Sequence, residues 1–167
     1  MAAMIITADK LNLVRHEGPD PEISEILHDP AILENMSEAR SYTAPMPSNI
    51  CFRIEKSGQV IGQACLKNIK WINHKAELSI FIDKKEQGQG HAGTALAAII
   101  EYAFKRMNLY RLEAEVVAAN HASVKLVRKQ GFVEEGRLRE AKFVNGVYQD
   151  LLRFGLLRRE YDQKNPE

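Results

Sequence analysis

The residues best suited to chemistry in this chain form one run, Gln87-Gly88-Gln89-Gly90-His91-Ala92-Gly93. Glycines at 88, 90 and 93 leave the backbone uncovered, so another molecule can approach the main chain itself. The run stands where a long apolar-periodic stretch begins, and the first amides of a helix have no partner inside it. Unpaired amides at the positive end of a helix macrodipole bind anions, phosphate above all. The chemistry implied is recognition of a phosphate-bearing ligand, mainly by backbone.

Two such ligands compete for these residues. Gly88–Gly93 fits G-x-G-x-x-G, the dinucleotide pattern, and Glu113 follows roughly 20 residues on, as that pattern expects. A dinucleotide loop, however, leaves an apolar parallel strand directly, whereas Asp83-Lys84-Lys85-Glu86-Gln87 intervenes here. Gln87–Ala92 also fits Gln/Arg-x-x-Gly-x-Gly/Ala. A third reading makes the run nothing more than a glycine-rich turn that starts a helix.

The elements that hold this run are legible around it. Phe81–Phe104 reads as a strand end, a charged turn, the glycine loop and a helix. Ala92, Ala95, Leu96, Ile99, Ile100, Ala103 and Phe104 form that helix's core-facing stripe. Upstream, Ala76–Asp83 is a strand with Leu78, Ile80 and Ile82 on one face and Glu77, Ser79 and Phe81 on the other. Ile50–Glu55 and Gln59–Asn68 form a hairpin that turns through Lys56-Ser57-Gly58. Ile5–Arg15 is a first strand, and Asp20-Pro21-Glu22 opens a helix that Asp29-Pro30 interrupts. A second short helix is expected over Ala31–Met36 and a loop over Ser37–Ser48.

Downstream, Leu112–Ala118 is a strand, and Asn120 caps a helix with Ser123 at its third position. Gly131 ends that helix, with Phe132 as the closing apolar contact. Val133–Lys142 and Val147–Leu157 are strands joined at Asn145-Gly146, and Tyr161–Glu167 is a frayed tail. An antiparallel meander in the first half does not suit a doubly wound dinucleotide fold.

The 167 residues suffice for one domain with a full core. A net charge of +1 without a basic cluster argues against a nucleic-acid surface. No run has the length of a membrane span, so no membrane partner is expected. Cys51 and Cys65 fall in strand-like runs without metal spacing and read as reduced thiols of a cytoplasmic protein. The histidines are scattered, so no metal is expected.

Taken together, Gln87–Ala92, Asn120-His121-Ala122-Ser123, Lys129-Gln130-Gly131-Phe132, Glu135-Gly136-Arg137-Leu138-Arg139 and Gly146-Val147-Tyr148-Gln149-Asp150 resemble the GNAT superfamily of N-acetyltransferases. The C-terminal half is similar to the branch of the ribosomal-protein alanine N-acetyltransferases. The resemblance implies an α/β (α+β-like) fold over a single acetyltransferase domain, residues 1–167. It further implies a mixed, mostly antiparallel sheet of about six to seven strands, flanked by helices and with splayed central strands. The co-substrate implied is acetyl-CoA, its pyrophosphate on the amides of Gly88, Gly90, His91, Ala92 and Gly93, with Gln87 and Gln89 in the same loop. Its pantetheine arm would pair with the backbone near Phe81 and Ile82, where an amide would polarise the thioester carbonyl.

Glu77 matches an acidic position of this branch and would act as general base, since an ammonium has no lone pair with which to attack. A surface carboxylate or strand-edge ion pair is the other reading of Glu77. Asn120 would contact the cofactor arm as well as cap its helix. Ser123 matches a serine that would assist the leaving thiolate, with helix capping as its alternative. Many relatives place a tyrosine seven residues after the asparagine; Val127 stands there instead. Tyr148 and Asp150 read as closure of the last hairpin. The acceptor implied is a primary amine: a protein N-terminus, an amino acid or a small amine. The protein would be a monomer or homodimer. An acyl-CoA sensor without turnover and a nucleotide-dependent oxidoreductase are the competing functions.

Overall fold

Two tight turns of one kind set the pairing in the larger part of the chain. At Ser57-Gly58 and again at Asn145-Gly146 both central residues have positive φ (50° and 80°, 51° and 80°). That combination matches the twist of the strands it joins, so each turn fixes a register as well as a reversal. The computed structural model describes residues 5–8, 11–14, 20–27, 32 and 46–166. It divides into two compact units, Met1–Ser41 and Tyr42–Glu167.

In the first unit, β1 (Ile5–Ala8) and β2 (Leu11–Val14) pair antiparallel, Ile5 opposite Val14. The single strand expected over Ile5–Arg15 is thus a pair of antiparallel strands, divided between Ala8 and Leu11. Helix α1 (Pro21–Leu27) starts as expected, with Asp20 Oδ1 accepting from the amides of Glu22 (3.0 Å) and Ile23 (3.2 Å). The short helix and loop expected between 31 and 48 lie outside the described residues, apart from Ile32 and 46–48.

The second unit is built on β3 (Ile50–Lys56), β4 (Gln59–Lys70), β5 (Lys75–Ile82), β6 (Arg111–Val117), β7 (Val133–Val144) and β8 (Val147–Leu157). They form one sheet in the order β3-β4-β5-β6-β8-β7, antiparallel throughout except between β5 and β6. That parallel pair decides the shape. Only Lys75–Glu77 and Arg111–Glu113 are in register, although both strands continue well beyond them. Past Glu77 the sheet is open along its middle, as the splayed strands of the expected fold require.

On one face, helices α2 (His91–Glu101) and α3 (His121–Lys129) cover the sheet. The predicted stripe of α2 is buried at Leu96, Ile99 and Ile100, and continues through Ala103 and Phe104 in a following π-helical turn. It meets Leu66, Leu78, Leu112, Ala114 and Leu156 from the sheet. Burying such side chains contributes about 1.5–3 kcal/mol each, which is why the central helix lies where the apolar period places it. Gly62 marks the tightest approach: a Cβ there would stand 2.2 Å from the carbonyl oxygen of Phe81. Only glycine lets β4 lie this close to the end of β5, the strand that borders the opening.

Two expectations fail in this unit. Tyr161–Glu167 is not a frayed tail throughout, because helix α4 (Arg158–Lys164) runs into it. Glu160 accepts from the Leu157 amide (2.9 Å), and Tyr161 packs its ring against Phe104 at 5.2 Å. Cys51 and Cys65 are not free thiols but a disulfide. The β3–β4 register sets them directly opposite, Cα atoms 4.1 Å apart, a relation that residue spacing alone does not reveal.

Candidate active site

The glycine loop is anchored before it opens. Asp83 accepts from the Lys85 amide (2.9 Å) and starts a short 3-10 turn, Lys84–Glu86. Gln87 then donates from Nε2 to the Ile82 carbonyl (2.9 Å), tying the loop to the end of β5. Gly88 and Gly90 are left-handed, at φ 77° and 86°, and a Cβ at either would stand in open space. The conformation therefore demands glycine, while the space beside it stays free for a ligand. Gly90 caps α2 without a side chain, so the first amides of the helix remain uncovered.

These amides face a cleft of about 1080 Å³. Its walls are Ile80, Phe81 and Ile82 from the open side of β5, the loop and first turn of α2, and Asn120, Ala122 and Ser123 at the start of α3. Of the residues expected to hold the cofactor, Phe81, Ile82, Gln87, Gly88, Gly90, His91, Ala92, Gly93, Asn120 and Ser123 are brought together here. Gln89 is not among them. Its side chain accepts from Lys56 Nζ (3.2 Å) and lies 3.5 Å from the Lys85 carbonyl.

The cleft also has walls that sequence reasoning passed over: Glu86, Lys125, Leu126, Lys129 and Gln130. The two lysines carried a signal, since residues four apart share one helix face. Gln130 bridges the helices, donating to the Gly93 carbonyl (3.1 Å). His91 Nε2 is buried with no hydrogen-bond partner among the described residues, 3.5 Å from Glu86 Oε2.

The structure separates the two roles considered for Ser123. Asn120 Oδ1 caps α3 by accepting from the Ser123 amide (3.1 Å), so the serine hydroxyl is not the cap. Val127 packs in the core and is no part of the cleft wall. Asp150 is tied into the last hairpin, accepting from Arg137 (2.9 Å) and the Glu140 amide (2.9 Å). Those bonds hold its carboxyl below the usual range, the amide first. Tyr148 stacks on Phe143 at 4.9 Å.

Glu77 lies elsewhere, in a cavity of about 220 Å³ with Arg111, Glu113, Glu115, Glu135 and Arg153. It occupies the last rung that β5 and β6 share, where the opening begins, and accepts from Asn68 Nδ2 at 2.7 Å. The other carboxylates are matched by cations. Arg111 binds both Glu113 (2.8 Å) and Glu135, Lys75 adds to Glu113 (3.2 Å), and Arg153 meets Glu115 (3.1 Å). Glu77 alone of the four has no cationic partner among the described residues.

Burial pushes the Glu113 carboxyl up, but the bonds from Arg111 and Lys75 outweigh it and hold Glu113 below its ordinary value of 4.5. The guanidinium does the same for Glu135. A depressed carboxylate stabilises the fold fully above its unfolded value, and that stability is lost as pH falls through the folded one. Arg111→Met is therefore expected to cost about 1–3 kcal/mol near neutral pH, with the deficit shrinking below pH 4.5. Thermal melts of both proteins across that range check it; a deficit independent of pH would remove the ion pairs as its cause.

A mixed sheet opened between two parallel strands, with a phosphate-ready helix start beside the opening, is the build of an acyl-CoA-binding transferase domain. Comparison with known proteins agrees: this chain belongs to the GNAT acetyltransferase family, whose acetyltransferase domain matches residues 24–152. The chain is similar to a putative ribosomal N-acetyltransferase of Bacillus subtilis, 34% identical over 63% of this chain and 57% of the relative. It is also similar to a spermidine N(1)-acetyltransferase of Vibrio cholerae, 38% identical over 61% of this chain and 59% of that one. In both cases the shared stretch spans less than two thirds of the relative. Among solved structures, the dodecameric spermidine N-acetyltransferase of Vibrio cholerae superposes with a TM-score of 0.68 at 30% identity, covering 86% of this chain and 78% of that one.

Proposed function

We propose that this protein is an N-acetyltransferase that moves acetyl directly from acetyl-CoA to a primary amine. The opening of the sheet beyond Glu77 carries the reading, because Ile80, Phe81 and Ile82 on its β5 side wall a long cleft with free helix amides, while Glu77, where the strands part, lacks a cation among the described residues. The residues present suit the co-substrate. Uncovered amides at 88–93 fit its pyrophosphate, Lys125 and Lys129 add positive charge, and the orphaned His91 Nε2 can donate or accept there. Acetyl-CoA supplies the activated acetyl thioester. Backbone near Phe81 and Ile82 would hold the arm and polarise the thioester carbonyl.

Glu77 would take the proton of the incoming ammonium, directly or through water, while Asn68 holds one of its oxygens. The freed amine nitrogen forms its bond to the acetyl carbon as the carbon–sulphur bond breaks, and the second nitrogen proton ends on the departing sulphur as the CoA thiol. Ser123 or a water would offer the departing sulphur a hydrogen bond beside the start of α3. The two relatives named for ribosomal and spermidine acetylation support an amine acceptor, and the carboxylate of Glu77, which has no cationic partner among the described residues, suits one that arrives as an ammonium. No group of metal-binding side chains occurs among the described residues, and none of their helices is long and apolar enough to cross a membrane. We place the protein in the cytoplasm on its need for acetyl-CoA and not on its cysteines, whose pairing as a disulfide removes the reduced-thiol argument, and as a monomer or homodimer. Light scattering tests the latter, and a dodecamer would overturn it.

Calorimetry with acetyl-CoA and with NAD(H), followed by thiol release with spermidine, amino acids and peptides with free N-termini, tests the function. Uptake of acetyl-CoA with turnover of an amine is expected; binding of NAD(H) alone would overturn the reading. Ser123→Ala is expected to lower kcat by less than the roughly 10²-fold typical of a lost proton donor, with the melting temperature unchanged because Asn120 keeps the cap. Val127→Tyr is expected to destabilise the core by about 1–3 kcal/mol without raising kcat. If wild type binds acetyl-CoA but turns over only with Val127→Tyr, the protein is a sensor instead.

A further inference from the structure

One charge in the cleft is on the wrong side. Glu86 is a cleft wall beside the amides of 88, 90 and 91, so a carboxylate stands where a pyrophosphate has to come. Opposing it is Lys56, from the last position of β3, thirty residues away in sequence. Its ammonium donates to Glu86 Oε2 (2.8 Å) and to Gln89 Oε1 (3.2 Å), one contact on each side of Gly88. Lys56 is not itself a wall of the cleft.

We propose that Lys56 is a positioning residue for acetyl-CoA, cancelling the charge of Glu86 and pinning Gln89 so that the loop can receive the pyrophosphate. The inference rests on the acetyl-CoA reading of the cleft. A half-exposed ion pair adds little to stability, so stability alone gives this contact small purpose. Its electrostatic effect on a nearby dianion is larger, because losing the lysine turns a neutral pair into one uncompensated negative charge beside the loop. The low value at which Glu86 holds its proton, set first by the hydrogen bond from Lys56, agrees with a carboxylate that stays ionised beside the loop.

The experiment is a double-mutant cycle read by calorimetric Kd for CoA, with KM for acetyl-CoA and kcat measured alongside. Lys56→Met is expected to raise Kd and KM on the order of tenfold, leaving kcat and the melting temperature near wild type. Glu86→Gln alone should not weaken binding and is expected to lower Kd, because Lys56 is then a positive charge with no carboxylate to cancel it. Lys56→Met combined with Glu86→Gln should recover most of the lost affinity, and Lys56→Arg should keep it. Two results would overturn the proposal: a Lys56→Met protein that binds CoA as wild type does, or a double variant that stays as weak as Lys56→Met alone. If wild type itself takes up no CoA, the acetyl-CoA reading falls and this inference falls with it; in the first two cases only the inference does.

Discussion

Gly90→Val is expected to abolish acetyl-CoA binding in a protein that still folds. Two effects act together at this position. Gly90 sits at φ 86°, where a β-branched residue is strained, so the backbone turns away and carries its amide out of the cleft. If the backbone holds instead, the valine side chain fills the open space from which the phosphate comes. The strain costs about 1–2 kcal/mol, a fraction of the roughly 5–15 kcal/mol that holds a domain together, so the melting temperature drops but the fold persists. Calorimetry would register the loss of binding and circular dichroism the retained fold. Gly93→Ala is the control. It lies inside the first turn of α2, and its Cβ would meet Leu126 at 3.8 Å and Gln130 at 3.9 Å, both ordinary contacts. A folded Gly90→Val protein with wild-type affinity for CoA would sink the assignment of the loop.

Glu77→Gln is expected to lower kcat by roughly 10²–10⁴, with little change in the affinity for acetyl-CoA. The amide keeps the shape and can still meet Asn68, but it cannot take a proton. The acidic limb of the pH–rate profile should go with it. This substitution separates the base from its three neighbours, because Glu113, Glu115 and Glu135 are held by Arg111, Lys75 and Arg153, whereas Glu77 meets only Asn68 among the described residues. A variant with the wild-type rate and pH dependence would return Glu77 to a structural carboxylate.

Which parts of this were legible in the sequence follows from the range of the interactions. The stripe of α2, the caps at Asn120 and Gly131 and the turns at Ser57-Gly58 and Asn145-Gly146 are set by residues within one or two turns of each other. A reader of the sequence sees all of them. The glycines of the loop were legible for the same reason. Lys56 beside Glu86 was not, because the pair exists only once β3 and β4 have folded back onto the end of β5. The cross-strand partners Cys51 and Cys65 depend likewise on a register. Glu77 was singled out by its match to an acidic position of the resembled branch, but its place on the last shared rung of β5 and β6 is a fact of tertiary structure.

The opening between β5 and β6 places an edge in the interior of a sheet, where edges are normally absent. An exposed edge invites another chain to zip onto it, and proteins generally blunt or cover such edges at the periphery. Here the half-zipped seam lies between two paired strands and beneath two helices, out of reach of a second sheet but open along a narrow slot. On the function proposed above, the rungs missing from that seam are completed by the co-substrate's own amide groups. The bound acetyl-CoA is then a transient part of the sheet, and saturation of the cleft and closure of the fold become one equilibrium, worth about 2.7 kcal/mol at a hundredfold excess over Kd. Each turnover would unzip the seam when CoA leaves and rebuild it with the next acetyl-CoA.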